Sequence, residues 1–159
     1  MLHFAYGSNM SRALMRVRCR DAEALGVALL KDFRFIITRD GYASILATPG
    51  EVVRGVLWNV GPRDVAALNL YESVASGLYR PHLLSVQLQG RRKPALTYIG
   101  RATAAGRPRP GYLELVINAA REWELPARYL HMLESSASSR WRGARPAEAG
   151  EIACPVSAT

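Results

Sequence analysis

Cysteine, histidine and lysine are all scarce in this 159-residue chain, and each shortage removes a class of explanation. The two cysteines, Cys19 and Cys154, stand far apart, and the three histidines (His3, His82 and His131) are scattered. That pattern indicates neither a disulfide scaffold nor a zinc site, so no metal is expected. Also missing is any apolar run long enough to cross a membrane. The N-terminus lacks the basic-then-apolar layout of a signal peptide, which makes a cytoplasmic location the expectation. Lysine supplies only Lys31 and Lys93 of the 21 basic residues, and the other 19 are arginine.

A net charge of +8 raises the question of nucleic acid. The arginines fall in groups spread along the chain: Arg12/Arg16/Arg18/Arg20, Arg91/Arg92 with Lys93, Arg101/Arg107/Arg109 and Arg140/Arg142/Arg145. No nucleic-acid motif accompanies them and aromatics are not interleaved with them. The pattern reads as a solvated, arginine-biased surface that would attract an anionic substrate, and nucleic acid is not the expected partner.

What is present suits one soluble domain with a real core: 49% of residues are hydrophobic and 21% charged. Period-2 alternation marks strands at Phe33/Phe35/Ile37, Val56/Trp58/Val60, Leu84/Val86/Leu88 and Leu96/Tyr98. The last two read as a hairpin turning at Gly90, with Pro81 near the start of its strand, where a missing N–H does least harm. Tyr112, Leu115, Val116, Ala119 and Trp123 fall on one helical face, and a second helix starting at Pro126 carries Tyr129, Leu130 and Leu133. Trp123 and Tyr129 are expected in the core. From Ser135 the chain turns Ser/Ala/Arg/Gly/Pro-rich, so residues 1–136 form the expected domain and 137–159 a weakly structured tail. The fold class is α+β, a mixed domain with several antiparallel strands and flanking helices.

Two stretches carry candidate chemistry. The run Pro62–Glu72 reads as a helix with Pro at its first position. Val65 and Leu68 mark its apolar stripe, and Glu72 follows Leu68 on the same stripe. Glu72 therefore either ends a frayed helix pointing to water or sits inward, where desolvation raises its pKa and suits it to general-base work. The second stretch, Leu2-His3-Phe4-Ala5-Tyr6-Gly7-Ser8-Asn9-Met10, runs from an apolar strand through a turn into a helical pattern (Met10, Leu14 and Val17, with Ala13 between). Such a turn exposes backbone N–H groups that bind anions. Gly7 allows a tight turn and close ligand approach, and Ser8 or Asn9 is the expected N-cap.

Read together, the two stretches extend into an ordered set. FAYGSNM is followed by Gly55-Val56, by LNLYES from Leu68 to Ser73, and by Gly77-Leu78-Tyr79. Thr97-Tyr98, Pro110-Gly111-Tyr112-Leu113 and Leu125-Pro126-Ala127-Arg128-Tyr129 come after them. In content and order these pieces resemble the γ-glutamylcyclotransferase family, over roughly residues 3–133. The resemblance implies a small β-barrel-like sheet with helices around it and a pocket at one mouth. It implies cofactor-free cleavage of a γ-glutamyl amide: the substrate's α-amine attacks its own γ-carbonyl and releases 5-oxoproline with a free amine or amino acid. Glu72 matches the family's catalytic glutamate, the Tyr6-Gly7-Ser8-Asn9 turn its substrate loop, and Tyr79, Tyr98 and Tyr112 its pocket tyrosines. Two positions depart from the family pattern. Asn69 replaces an Asp, and Ser73 replaces a Gly and would need a negative φ to fit comfortably.

The partner expected is thus a small γ-glutamyl substrate, without a membrane, and a homodimer is left open. Two other classes stand beside the enzyme. A binding module could keep the fold without turnover, and an arginine salt-bridged to Glu72, with a depressed pKa, would mark it. A binder of nucleic acid or an acidic partner would work through the arginine groups and show salt-dependent binding.

Overall fold

A computed structural model describes residues 1–137, so all but the first residue of the expected tail lies outside the described residues. Five strands form a closed barrel: β1 (Leu2–Ala5), β2 (Glu23–Ile37), β3 (Ala43–Asn59), β4 (Tyr79–Leu88) and β5 (Arg91–Gly100), ordered β1-β3-β2-β4-β5. Neighbouring pairs are antiparallel except where β1 meets β5, in parallel, with His3 opposite Leu96. That contact closes the barrel. Among the described residues, four helices lie around it: α1 (Arg12–Arg18), α2 (Pro62–Tyr71), α3 (Tyr112–Glu122) and α4 (Ala127–Ser135). The α+β barrel with flanking helices agrees with the expected fold class. No helix among the described residues is long and apolar enough to cross a membrane.

β2 and β3 are much longer than their alternating cores suggest, at 15 and 17 residues. Register shifts at Ala24/Gly26 and Lys31/Phe33 put irregularities into their pairing, the kind of bulge that lets a long strand bend. β4 and β5 form the expected hairpin, turning through Gln89 and Gly90, both at positive φ. Phe4, Leu30, Ile45, Val53, Val56, Leu57 and Val86 fill the core, and Leu68 fixes α2 against it. Gly55 is needed for space. A Cβ there would overlap the Ala5 carbonyl oxygen and stand 2.9 Å from Phe4 ring carbons, on the partner side of the β1–β3 ladder.

The helices depart from the expected phase in places. Neither Ser8 nor Asn9 is the N-cap of α1. Ser8–Met10 form a separate 3₁₀ turn, and Ser11 caps α1 by accepting the Leu14 N–H at 3.3 Å. The offset rotates α1, so Val17 is 79% exposed while Met15 is buried. On α3, Val116 and Ala119 are buried as expected, but Leu115 faces outward, and Leu113, Ile117 and Ala120 join the buried face. Pro126 precedes α4 as its N-cap. Tyr129 is buried, and its hydroxyl exchanges hydrogen bonds with the Arg54 backbone N–H and C=O. Trp123 is half-buried, donating to the Met10 carbonyl at 2.7 Å and meeting Trp58 edge to face.

α2 begins as expected, with Pro62 at its first position and the Asp64 carboxylate accepting the Gly61 N–H at 3.0 Å. Its end is a Schellman cap: the Ser73 N–H bonds the Leu70 carbonyl and the Val74 N–H bonds the Asn69 carbonyl. Such a cap puts the residue after the C-cap in the left-handed region, and Ser73 has φ of 50°. Ser73 therefore does not keep the negative φ that would have suited it, and a glycine at this position is explained by backbone geometry.

Two stability effects follow. Gly55→Ala should destabilise the fold by about 1–3 kcal/mol through overpacking, read as a lower urea midpoint. Ser73→Gly should raise the midpoint, by up to about 1 kcal/mol, because it relieves a left-handed serine.

Candidate functional site

Glu72 is the C-cap of α2, and its own N–H donates to the Leu68 carbonyl at 2.8 Å. It is not left pointing to water. The side chain is half-buried, and its Oε1 accepts a hydrogen bond from Asn9 Nδ2 at 2.8 Å. Burial lifts the carboxyl to about pKa 7, with the Arg18 guanidinium and the Asn9 bond pulling the other way. Desolvation dominates.

Asn9 and Ser8 come from the 3₁₀ turn that follows β1, and both are buried. Gly7 has φ of −112°, so it is not a left-handed turn residue. Its role is one of space: a Cβ would sit 3.1 Å from the Tyr112 hydroxyl oxygen and 3.3 Å from Ala43 Cβ. Tyr6 is buried, and its hydroxyl donates to the Tyr98 carbonyl.

The three other tyrosines converge on this turn from separate elements. Tyr79 of β4 donates to the Ala43 carbonyl, and the Tyr112 hydroxyl at the start of α3 accepts the Ala43 N–H at 3.3 Å. Tyr98 of β5 donates to Asn69 Oδ1 at 2.7 Å. Burial, with Glu72 nearby, pushes all four phenols upward, so they stay neutral near pH 7. His3 lies behind them, edge to face with Tyr98. Its Nδ1 donates to the Leu96 carbonyl, and burial pushes the ring down to about 4, so it is neutral.

These residues line a cleft of two adjoining pockets that share Ser8, Tyr79 and Tyr112. One is about 30 Å³, lined chiefly by His3, the residues from Tyr6 to Asn9, Tyr79, Tyr98 and Tyr112. The other, about 160 Å³, is lined by Ser8, Tyr42, Tyr71, Glu72, Ser73, Leu78, Tyr79 and Tyr112. Every expected site residue borders one pocket or both. Sequence reasoning missed Tyr42, Tyr71 and Arg18. Tyr42 packs edge to face on Tyr112, and the Tyr71 hydroxyl lies 3.2 Å from Ser8 Oγ. Arg18 belongs by spacing to the Arg12/Arg16/Arg18/Arg20 group of the expected solvated surface. Its signal was the inward run Leu14, Met15, Arg18 and Cys19 along α1 and its end, which places an arginine among inward-facing residues.

The chain matches the model of the AIG2-like family over residues 52–133, from within β3 into α4. The γ-glutamylcyclotransferase of Bos taurus is 29% identical to it, across 89% of this chain and 81% of that protein. The Homo sapiens γ-glutamylcyclotransferase is 28% identical across the same shares. A putative γ-glutamylcyclotransferase of Bacillus subtilis, YkqA, is 28% identical, with the match spanning 53% of its length. Among solved structures, a γ-glutamyl cyclotransferase superposes with a TM-score of 0.80 at 27% identity, covering 91% of this chain and 92% of that one. With the family model spanning more than half of the sequence and these relatives aligned along most of it, the chain belongs to the AIG2-like family and is an enzyme of the γ-glutamylcyclotransferase-like kind.

Proposed function

We propose that the protein converts a γ-glutamyl amide into 5-oxoproline and a free amine or amino acid, with Glu72 as general base and then general acid. The observation that carries this reading is the Glu72 carboxyl, poised at about pKa 7 on the wall of the cleft. A carboxylate with that pKa accepts a proton near neutrality and gives it back readily. The binding-module alternative called for an arginine that depresses the Glu72 pKa, whereas here desolvation outweighs Arg18.

The reaction makes few demands on protein groups. The nucleophile is tethered to its electrophile, and well-oriented intramolecular attack is worth roughly 7–11 kcal/mol. Glu72 removes a proton from the substrate α-ammonium, and the freed amine attacks the γ-carbonyl to close a five-membered ring. The tetrahedral intermediate collapses as the amide C–N bond breaks and the proton on Glu72 passes to the departing nitrogen. The ring nitrogen, still carrying two protons, then gives one through the reionised Glu72 to the freed amine, which leaves as its ammonium. Backbone N–H groups of the Gly7-Ser8-Asn9 turn are assigned to the α-carboxylate or the developing oxyanion. Tyr6, Tyr79, Tyr98 and Tyr112 form the walls; being neutral, they do not compete with Glu72 for the proton. The free, buried thiol of Cys19 is compatible with a reducing, cytoplasmic setting.

The test is 5-oxoproline release from γ-glutamyl amino acids, glutathione and γ-glutamyl amines. Glu72→Gln should lower kcat/KM by about 10²–10⁴-fold on whichever donor is used. Wild-type activity undiminished in that variant would remove Glu72 from the chemistry. As the base must be ionised, wild-type kcat/KM should fall as pH drops below about 7. Stability runs the opposite way. The folded protein holds a proton on Glu72 that the unfolded chain releases above its ordinary 4.5, so this group's contribution declines between pH 4.5 and about 7. Glu72→Gln should therefore melt higher than wild type at pH 8, with the gap narrowing below pH 5, as scanning calorimetry would show.

A further inference from the structure

Arg18 makes a set of contacts that a surface arginine does not. Its Nη1 donates to Asn9 Oδ1 and, at 3.3 Å, to Ser8 Oγ. Its guanidinium carbon lies 3.5 Å from the centre of the Tyr71 ring, a close cation–π stack. Tyr71 directly precedes Glu72, and its hydroxyl meets Ser8 Oγ at 3.2 Å. One side chain at the end of α1 thus joins the 3₁₀ turn to the end of α2.

The contact with Asn9 has a directional consequence. An amide side chain presents an acceptor at one end and a donor at the other. With Oδ1 held by a guanidinium, Nδ2 faces Glu72 Oε1 at 2.8 Å. Turned over, the amide would set its NH₂ against the guanidinium and its oxygen against the carboxylate, losing two charge-assisted hydrogen bonds at once.

We propose that Arg18 is a positioning residue of the site, locking the Asn9 amide in the orientation that donates to Glu72 while clamping the turn to the end of α2. It touches no reacting atom. It acts on the carboxylate through Asn9, with its own charge as a second, through-space influence. The titratable groups that face Glu72 come from several elements: Arg18 from α1, Tyr6 after β1, Tyr79 of β4, Tyr98 of β5 and Tyr112 of α3, with Tyr71 adjacent. The phenols among them whose burial drives them upward are neutral near pH 7, which leaves Arg18 as the charge acting on Glu72 within this set.

This role rests on the proposed function for its catalytic meaning, but its test does not need turnover. The Glu72 side-chain carboxyl would be titrated by carbon-detected NMR in the wild type, Arg18→Lys, Arg18→Met, Asn9→Ala and Asn9→Ala/Arg18→Met, with thermal melts confirming folding. Removing the guanidinium should raise the Glu72 pKa by roughly half a unit or more. Arg18→Lys keeps the charge without the planar fork, so it should recover part of the shift. In the Asn9→Ala background, losing Arg18 should shift Glu72 by less than in the wild type, the non-additivity expected of a relay. Where turnover is measured, the acid limb of kcat/KM should move to higher pH by the amount seen in the titration. An unchanged Glu72 titration in both Arg18 variants would overturn the proposal, and equal shifts with and without Asn9 would overturn the relay. If Arg18→Met does not fold, Arg18→Lys decides on the same reading. Failure of the wild type to release 5-oxoproline would sink the proposed reaction and leave the titration to judge Arg18 on its own.

Discussion

A carboxylate at the C-terminal end of a helix and half out of water is disfavoured twice over. Desolvation opposes its charge, and the negative end of the helix dipole opposes it again. Glu72 occupies such a place, as the residue that closes α2. Its counterweights are the Asn9 amide and the Arg18 guanidinium, and they only partly restore the charge, leaving the group near 7. Much of the surrounding structure can be understood as what keeps that balance in place. The Schellman cap at Ser73 turns the chain back sharply after Glu72, and the Asn9 bond holds the Glu72 side chain against the 3₁₀ turn.

The other half of the balance comes from barrel closure. β1 is only four residues long and sits between β3 and β5. Its parallel contact with β5 brings the turn after it to the same mouth as Tyr98, while β4 delivers Tyr79. The phenols of Tyr6, Tyr79 and Tyr112 are tied to main-chain groups of Tyr98 and Ala43, which do not change rotamer. A wall tied to backbone is held more firmly than one built from side chains bonding each other. Gly7 and Gly55 serve the same closure, since a side chain at either would press into the packing between β1, β3 and Tyr112.

Much of this was legible in the residues, and the failures have a common cause. The Gly90 hairpin is kept, but the alternation at Val56/Trp58/Val60 is not: Leu57 between them is equally buried, and Val60 lies past the end of β3. Helix faces are less forgiving. The break between the 3₁₀ turn and the Ser11 cap resets the phase of α1, so a stripe running from Met10 reaches the outward Val17 and misses the inward Arg18. On α3 the phase holds at Val116 and Ala119, and only Leu115, at the edge of the stripe, turns outward. Tyr42 lies outside any motif, and only the folded chain brings it to Glu72, whereas Tyr71 sits inside the Leu68–Ser73 motif beside Glu72 and carries no signal of its own there. Glu72 itself could be read from its stripe and its motif, but its hydrogen-bond partner could not, because Asn9 is 63 residues away along the chain.

Asn69 shows how the same balance constrains substitution. Its Oδ1 accepts the Tyr98 hydroxyl at 2.7 Å, a bond for which an amide oxygen serves as well as a carboxylate. The geometry of the Tyr98 wall is therefore indifferent to Asn or Asp here. The charge is not. An aspartate one turn before Glu72 would add a second negative charge to the helix end and make the Glu72 carboxylate harder to form. Arg18, stacked on Tyr71 between them in sequence, would then have two anions to offset in place of one. With asparagine the Tyr98 contact is kept and the electrostatic load falls on the single Arg18–Asn9–Glu72 chain, in which the Asn9 amide is engaged at both ends.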